Sequence, residues 1–265
     1  MAFFTSISAS IVSGANETTT AEGVAVYEFK AINTACNPGI PVLLTVDKDT
    51  ENAKFLKALG DKATKGEAIR VLVSGVIQPV LAERDDKKEI TKPPKVVVYV
   101  GAARRLRADT KVDPEQAVVF GSGFAAPITD YEDNTKRKPE VFISAGTESL
   151  KEEGAYCSRL QVLGDKESKT DELAQTCEDG QELYFMGNLF RSAGEMNGNG
   201  YDKLKVVSTF MQATDRVKQR KTGRKAKSVS MNSQLNDSFE ESESTAQGMT
   251  PDSLAAQASV SLEDF

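Results

Sequence analysis

Polar and apolar residues alternate through most of the chain, and the alternation predicts strands. In "SISASIVSG", Ser6 to Gly14, one face carries Ile7, Ala9 and Ile11. "GVAVYEFKAI" (Gly23 to Ile32) and "IPVLLTV" (Ile40 to Val46) are rich in the β-branched and aromatic residues that fit a pleated surface. The period then changes. "TENAKFLKALGDKA" sets Ala53, Leu56 and Leu59 at helical spacing, with Thr50 as N-cap and Gly60 or Gly66 as the stop. Strand patterning returns in "AIRVLVSGVIQPVL" (Ala68 to Leu81). After the charged segment "ERDDKKEITKPP" it returns again in "KVVVYVGAARRLR" (Lys95 to Arg107).

That order, three strands, a helix and two strands around a long loop, recurs in the second half. "AVVFGSGFAAPI", "PEVFISAGTE" and "AYCSRLQVLGD" take the first three places, and "SKTDELAQTCEDG" is the helix. "QELYFMGNLFRS" and "YDKLKVVSTFMQAT" follow, separated by "AGEMNGNG". Ser10 and Ser122, and Gly75 and Gly187, share one sequence offset, which suggests a duplication. Five strands with a helix between the third and fourth is the order of the OB-fold, a small Greek-key barrel that binds oligonucleotides. The expected fold class is therefore all-β, with short helices: two tandem five-stranded OB-fold barrels followed by a disordered acidic C-terminal tail. The expected domains are residues 1–108 and 109–215, then a basic linker over 216–227 and the tail over 228–265. Residues 83–94 and 193–200 fall where the fold places a binding loop.

Charge supports this division. Of 33 basic residues none lies beyond Lys227, whereas seven of the 39 acids do, so the formal net charge of −6 belongs to the tail. The body is close to neutral. Low apolar content and abundant Ser, Gln and acids leave the tail too little burial to offset its ordering entropy.

The absence of histidine, with only three scattered cysteines, removes the commonest general base, the commonest metal ligand and any disulfide framework. HExxH, GxxxxGK[ST] and GxSxG are absent too, and "GSGFAAP" lies within a strand instead of opening a helix. No enzyme activity, cofactor or metal is expected. Without a basic, apolar leader or an apolar run of membrane-spanning length, the chain reads as soluble and cytoplasmic.

A barrel face that binds single strands needs rings to stack on bases and cations along the backbone path. In "ELYFMGNLF" one alternating set is Leu183, Phe185, Gly187 and Leu189; the other holds Tyr184, Met186, Asn188 and Phe190, beside Arg191. Tyr27 and Phe29 with Lys30, outward Arg70, and Tyr99 are the candidates in the first half. Each ring has an alternative place in the core. The cationic candidates are Lys87, Lys88 and Lys92 in the first long loop, Arg104 and Arg105 after the fifth strand, and Lys136 and Arg137 in the second half.

"FLKALGDKATKGEAIRVLVSGVIQPV" followed by "KVVVYVGAARRL" resembles the bacterial and phage single-stranded DNA-binding proteins over about residues 4–107. The resemblance is fainter over 117–214, through "LAQTCEDGQELYFMGNL". It returns at the tip, where Leu262, Glu263, Asp264 and Phe265 are similar to the family's acidic tip closing on Phe. The chain lacks the Trp on which the family often stacks bases, so stacking positions do not carry over one by one. The resemblance implies binding and protection of single-stranded DNA in replication, recombination or repair. It also implies recruitment of replication or repair proteins through that tip, a nucleoid-associated location and a homodimer presenting four barrels. An RNA chaperone of the same fold and a β-rich scaffold remain the alternatives.

Overall fold

A computed structural model describes residues 2–20, 23–86, 89–107, 116–127, 140–146, 157–164, 169–178, 180–196 and 199–217. In chain order the first half contains β1 (Phe3–Ile11), β2 (Asn16–Thr19), β3 (Ala25–Asn33), β4 (Ile40–Asp47), α1 (Glu51–Ala63), β5 (Ile69–Val80), β6 (Glu83–Arg84), β7 (Ile90–Lys92) and β8 (Lys95–Arg105). The second contains β9 (Ala117–Pro127), β10 (Glu140–Gly146), β11 (Cys157–Leu163), α2 (Lys169–Thr176), β12 (Gln181–Met196) and β13 (Asn199–Val217).

Pairing closes each half on itself. In the first, β1 pairs with β3, β3 with β4, β4 with β8 in parallel, β8 with β5, and β5 with β1. In the second, β9, β10, β11, β13 and β12 repeat the circuit, again with one parallel pair, β11 and β13. Both circuits run first, second, third, fifth, fourth strand and back to the first, as in OB-fold barrels. Gly75 and Gly187 mark the duplication. Each sits at a register shift in the fourth strand, opposite Thr5 and Val119 of the two first strands. Ser122 therefore matches Ser8, and not Ser10 as the shared offset suggests.

Alternation fills the interiors. Ile7, Phe29, Leu44, Val71, Val98, Ile143, Leu160, Leu183 and Val206 are almost wholly buried. Removing a large apolar side chain of this kind from water contributes about 1.5–3 kcal/mol. Thr50 caps α1 by accepting a hydrogen bond from the Ala53 N–H at 3.2 Å, and Ala53, Leu56 and Leu59 close one end of the first barrel. Gly60 does not stop the helix. It lets α1 approach the Phe29 ring, only 3.1 Å from where a Cβ would stand, and the turn comes at Gly66, whose φ is +89°.

Two loops contain paired strands among their described residues. The first charged loop contains the β6–β7 hairpin, and "AGEMNGNG" continues the β12–β13 ladder as far as the Met196–Asn199 pair. Local sequence hid both, because polar residues on a two-stranded ribbon bury no face.

β1 also pairs antiparallel with β9, from Phe3–Gly121 to Ile7–Ala117, so a single eleven-stranded sheet runs through both barrels. Phe3 meets Phe185 edge-on at 5.5 Å across this junction. The Thr5 hydroxyl donates to the Val118 carbonyl at 2.8 Å, and buried Asn33 donates to the Ser8 and Gln116 carbonyls. Further out, Arg191 donates to both carboxylate oxygens of buried Asp202 and to the Gly39 carbonyl at 2.9 Å.

Two substitutions test this packing. A Cβ at position 75 would stand 2.0 Å from the Tyr99 carbonyl oxygen, so Gly75→Ala should lower stability by about 1–3 kcal/mol in urea unfolding. Arg191→Ala leaves the Asp202 carboxylate buried without its cation and should cost about 3–5 kcal/mol. A loss below 1 kcal/mol would contradict the structure at either site.

Candidate nucleic-acid interface

Strand register brings four side chains into one row on the outside of each barrel. In the first, Lys30 lies opposite Leu43, Leu43 opposite Val97, and Val97 opposite Gln78. In the second, Phe142 lies opposite Gln161, Gln161 opposite Lys205, and Lys205 opposite Phe190. The rows are equivalent: each crosses the second, third, fifth and fourth strands, at the same distance from the Gly75 or Gly187 shift. Lys30 is exposed, Gln161 is covered, and the other six are half-buried. Each row thus joins one ammonium to apolar or aromatic surface, the combination that tracks phosphates while packing against bases.

A different surface crosses the β1–β9 junction. Tyr99, Val76, Phe4, Phe120, Met186 and Phe210 are successive cross-strand partners on β8, β5, β1, β9, β12 and β13. Phe4 and Phe120 stack at 5.7 Å and 19° between planes. Tyr99, Phe120, Met186 and Phe210 are 39%, 44%, 44% and 47% exposed. Ser6, Ser74, Gln78, Ser122, Asn188 and Gln212 flank this band, none of them charged. An apolar band without cations suits another protein surface better than a phosphate backbone.

The residues expected from sequence are distributed as follows. Lys30 and Phe190 stand in the two rows. Tyr99 belongs to the uncharged band, with its hydroxyl donating to Gln78 at 3.3 Å, and Tyr184, 47% exposed, lies beside that band opposite Ser122. Arg70 is half-buried on β5 opposite Ser10, away from either row. Lys92 pairs with Glu83 at 2.7 Å in the β6–β7 hairpin. Arg104 and Arg105 are exposed at the end of β8, with Glu67 3.9 Å from Arg105. Lys87, Lys88, Lys136, Arg137 and the tip residues Leu262 to Phe265 lie outside the described residues.

Three expectations need correction. Phe29 is fully buried beneath α1, so no face of its ring meets solvent. Tyr27 is buried beside it at 6.5 Å between ring centres, under the Lys57 ammonium. The strand that exposes Lys30 must point both rings inward. Arg191 is held at the barrel junction, where the hydrogen bonds it donates to the Asp202 carboxylate raise its pKa against the opposing effect of burial.

Sequence reasoning missed Phe142 and Lys205 in the second row, and Phe4, Phe120 and Phe210 in the band. They come from separate strands, and only register between distant strands assembles them. Among the described residues no cluster of His, Cys, Asp and Glu could hold a metal ion, and no helix is long and apolar enough to cross a membrane.

No protein-family model matches the sequence, and no curated protein is similar to it in sequence. Among solved structures, the chain is similar to the wild-type single-stranded DNA binding protein from Thermus aquaticus, at 13% identity and a TM-score of 0.48. The match covers 83% of this chain and 95% of that chain. A deletion mutant of that Thermus aquaticus protein is similar at 13% identity and a TM-score of 0.49, covering 83% of this chain and 98% of the other.

Proposed function

We propose that the chain binds single-stranded DNA without sequence readout along the backbone, and protects it during replication, recombination or repair. The observation that carries this reading is the pair of equivalent rows, Lys30–Leu43–Val97–Gln78 and Phe142–Gln161–Lys205–Phe190. Both lie on the strands where an OB-fold barrel holds a nucleic-acid chain. The lysines meet phosphates and release counterions, and Phe142 and Phe190 offer ring surface to bases. Duplication then gives one strand two successive platforms on one body.

The uncharged band has a separate role in this proposal. Two copies related by a two-fold axis bring their bands together, with the β1–β9 pair at the centre, and so present four barrels. The segment Leu262, Glu263, Asp264 and Phe265 recruits replication or repair enzymes. Its ring enters an apolar pocket while its two carboxylates meet the pocket's basic rim.

Titration of a labelled oligo-dT, about thirty nucleotides long, by fluorescence anisotropy should show tight binding that weakens as salt rises. Lys30→Gln and Lys205→Gln should each lower the slope of log affinity against log salt by about one. Phe190→Ala should weaken binding by about 1–3 kcal/mol. Absence of binding at low salt, or lysine variants with unchanged slopes, would overturn the reading. Removing residues 259–265 should abolish partner capture and leave oligo-dT affinity equal or higher; lost affinity would contradict the role of the tip.

A further inference from the structure

Beside Lys30 the first barrel has a hollow of about 340 Å³, lined by Ser13, Gly14, Asn16, Glu28, Lys30 and Leu43. Its construction follows from sequence. Glu28 and Lys30 are two apart on β3 and so share its outer side. β2 pairs with β3, which sets Asn16 directly opposite Glu28 as a wall. Leu43, opposite Lys30, forms the floor. The connection after β1 is held down by the Lys30 backbone N–H, which donates to the Ser13 hydroxyl at 2.8 Å. Neither the Glu28 carboxylate nor the Lys30 ammonium has a hydrogen-bond or ion-pair partner among the described residues. Thr45, opposite Glu28 in the register, has a covered hydroxyl that is also without a partner.

An acid and a base that share a hollow without pairing suit a ligand with one group for each. We propose that this hollow is a base-selective subsite, in which Lys30 holds a backbone phosphate and Glu28 accepts hydrogen bonds from the exocyclic amino group of the attached base. The inference rests on the strand-binding reading above and adds a preference to it. Cytosine offers its amino group as a donor at its pairing edge. Thymine carries a carbonyl oxygen in that place, and its one ring N–H lies between two carbonyl oxygens, which repel a carboxylate. Asn16, with both a donor and an acceptor, completes contact with either neighbouring edge position. Leu43 lies under the base as an apolar surface without choosing among bases. In the second barrel Glu140 stands at the register place of Glu28, but Phe142 takes that of Lys30, so the pairing of acid with ammonium on one strand belongs to the first barrel alone.

The test compares labelled oligo-dC and oligo-dT of one length at neutral pH, using the full chain and its Glu28→Gln and Lys30→Gln variants. The full chain should bind oligo-dC about fivefold more tightly, the low end for one base-edge contact. Glu28→Gln replaces a pure acceptor with a side chain that also donates to the thymine carbonyl. It should bring the two affinities within about twofold of each other while oligo-dT affinity holds or rises. Lys30→Gln should weaken both oligomers equally and leave their ratio unchanged. Equal wild-type affinities, or a preference that survives Glu28→Gln, would overturn the subsite and leave the strand-binding reading intact. Failure of the wild-type chain to bind either oligomer would overturn both.

Discussion

The antiparallel ladder between β1 and β9 is the interaction on which the arrangement depends. Each barrel closes on its first strand only at one end, through Ser10 and Ile11 on β3 in the first and Phe124 to Pro127 on β10 in the second. The outer edge of the junction would otherwise leave β1 and β9 with unpaired polar groups, an invitation to pair with another chain. Joining them removes that edge and merges two curved walls into one sheet. The contacts around it reinforce the same orientation: Phe3 against Phe185, the Thr5 hydroxyl on the Val118 carbonyl, and Arg191 bridging Asp202 to Gly39. The β6–β7 and β12–β13 hairpins also touch, where Arg84 donates to the Gly200 carbonyl at 2.8 Å.

From this one junction follows a division of surfaces. The sheet that crosses it exposes an apolar, uncharged band, with Phe4 stacked on Phe120 at the centre. The cationic rows border this band, the first meeting it at Gln78, and differ from it in carrying Lys30 and Lys205. On the proposed reading a ring in the band would contribute through desolvation against a protein face, whereas Lys30 and Lys205 would contribute through counterion release, which salt weakens. The same residue type therefore has different meanings at Phe120 and Phe190. Their neighbours decide which applies: serines and amides in one case, a lysine in the other.

Much of the fold was legible because burial imposes a period. The inward set Leu183, Phe185 and Leu189 and the outward set headed by Tyr184 and Met186 stand as the alternation of "ELYFMGNLF" requires. The repeated order of elements was legible for the same reason, down to the glycine shifts. The binding surface was less so. Alternation on β3 itself argues that Glu28 and Lys30, on the outer side, turn Tyr27 and Phe29 inward, yet an aromatic next to a lysine invites the opposite reading. Gly60 explains the choice physically, since α1 needs that ring beneath it. Of the second row only Phe190 could be seen. Phe142, Gln161, Lys205 and Phe190 come from four strands, and pairing register between strands is fixed by tertiary closure rather than by any local pattern. The two hairpins were hidden similarly, as their polar residues carry no burial signal.

Amide hydrogen exchange in the native state measures directly whether the two barrels form one body. The ladder amides of Phe3 to Ile7 and Ala117 to Gly121 should exchange only through global unfolding, as slowly as the most protected core strands. Ladder amides that exchange orders of magnitude faster than the core of either barrel would show two barrels that open from each other freely, and would contradict the shared sheet.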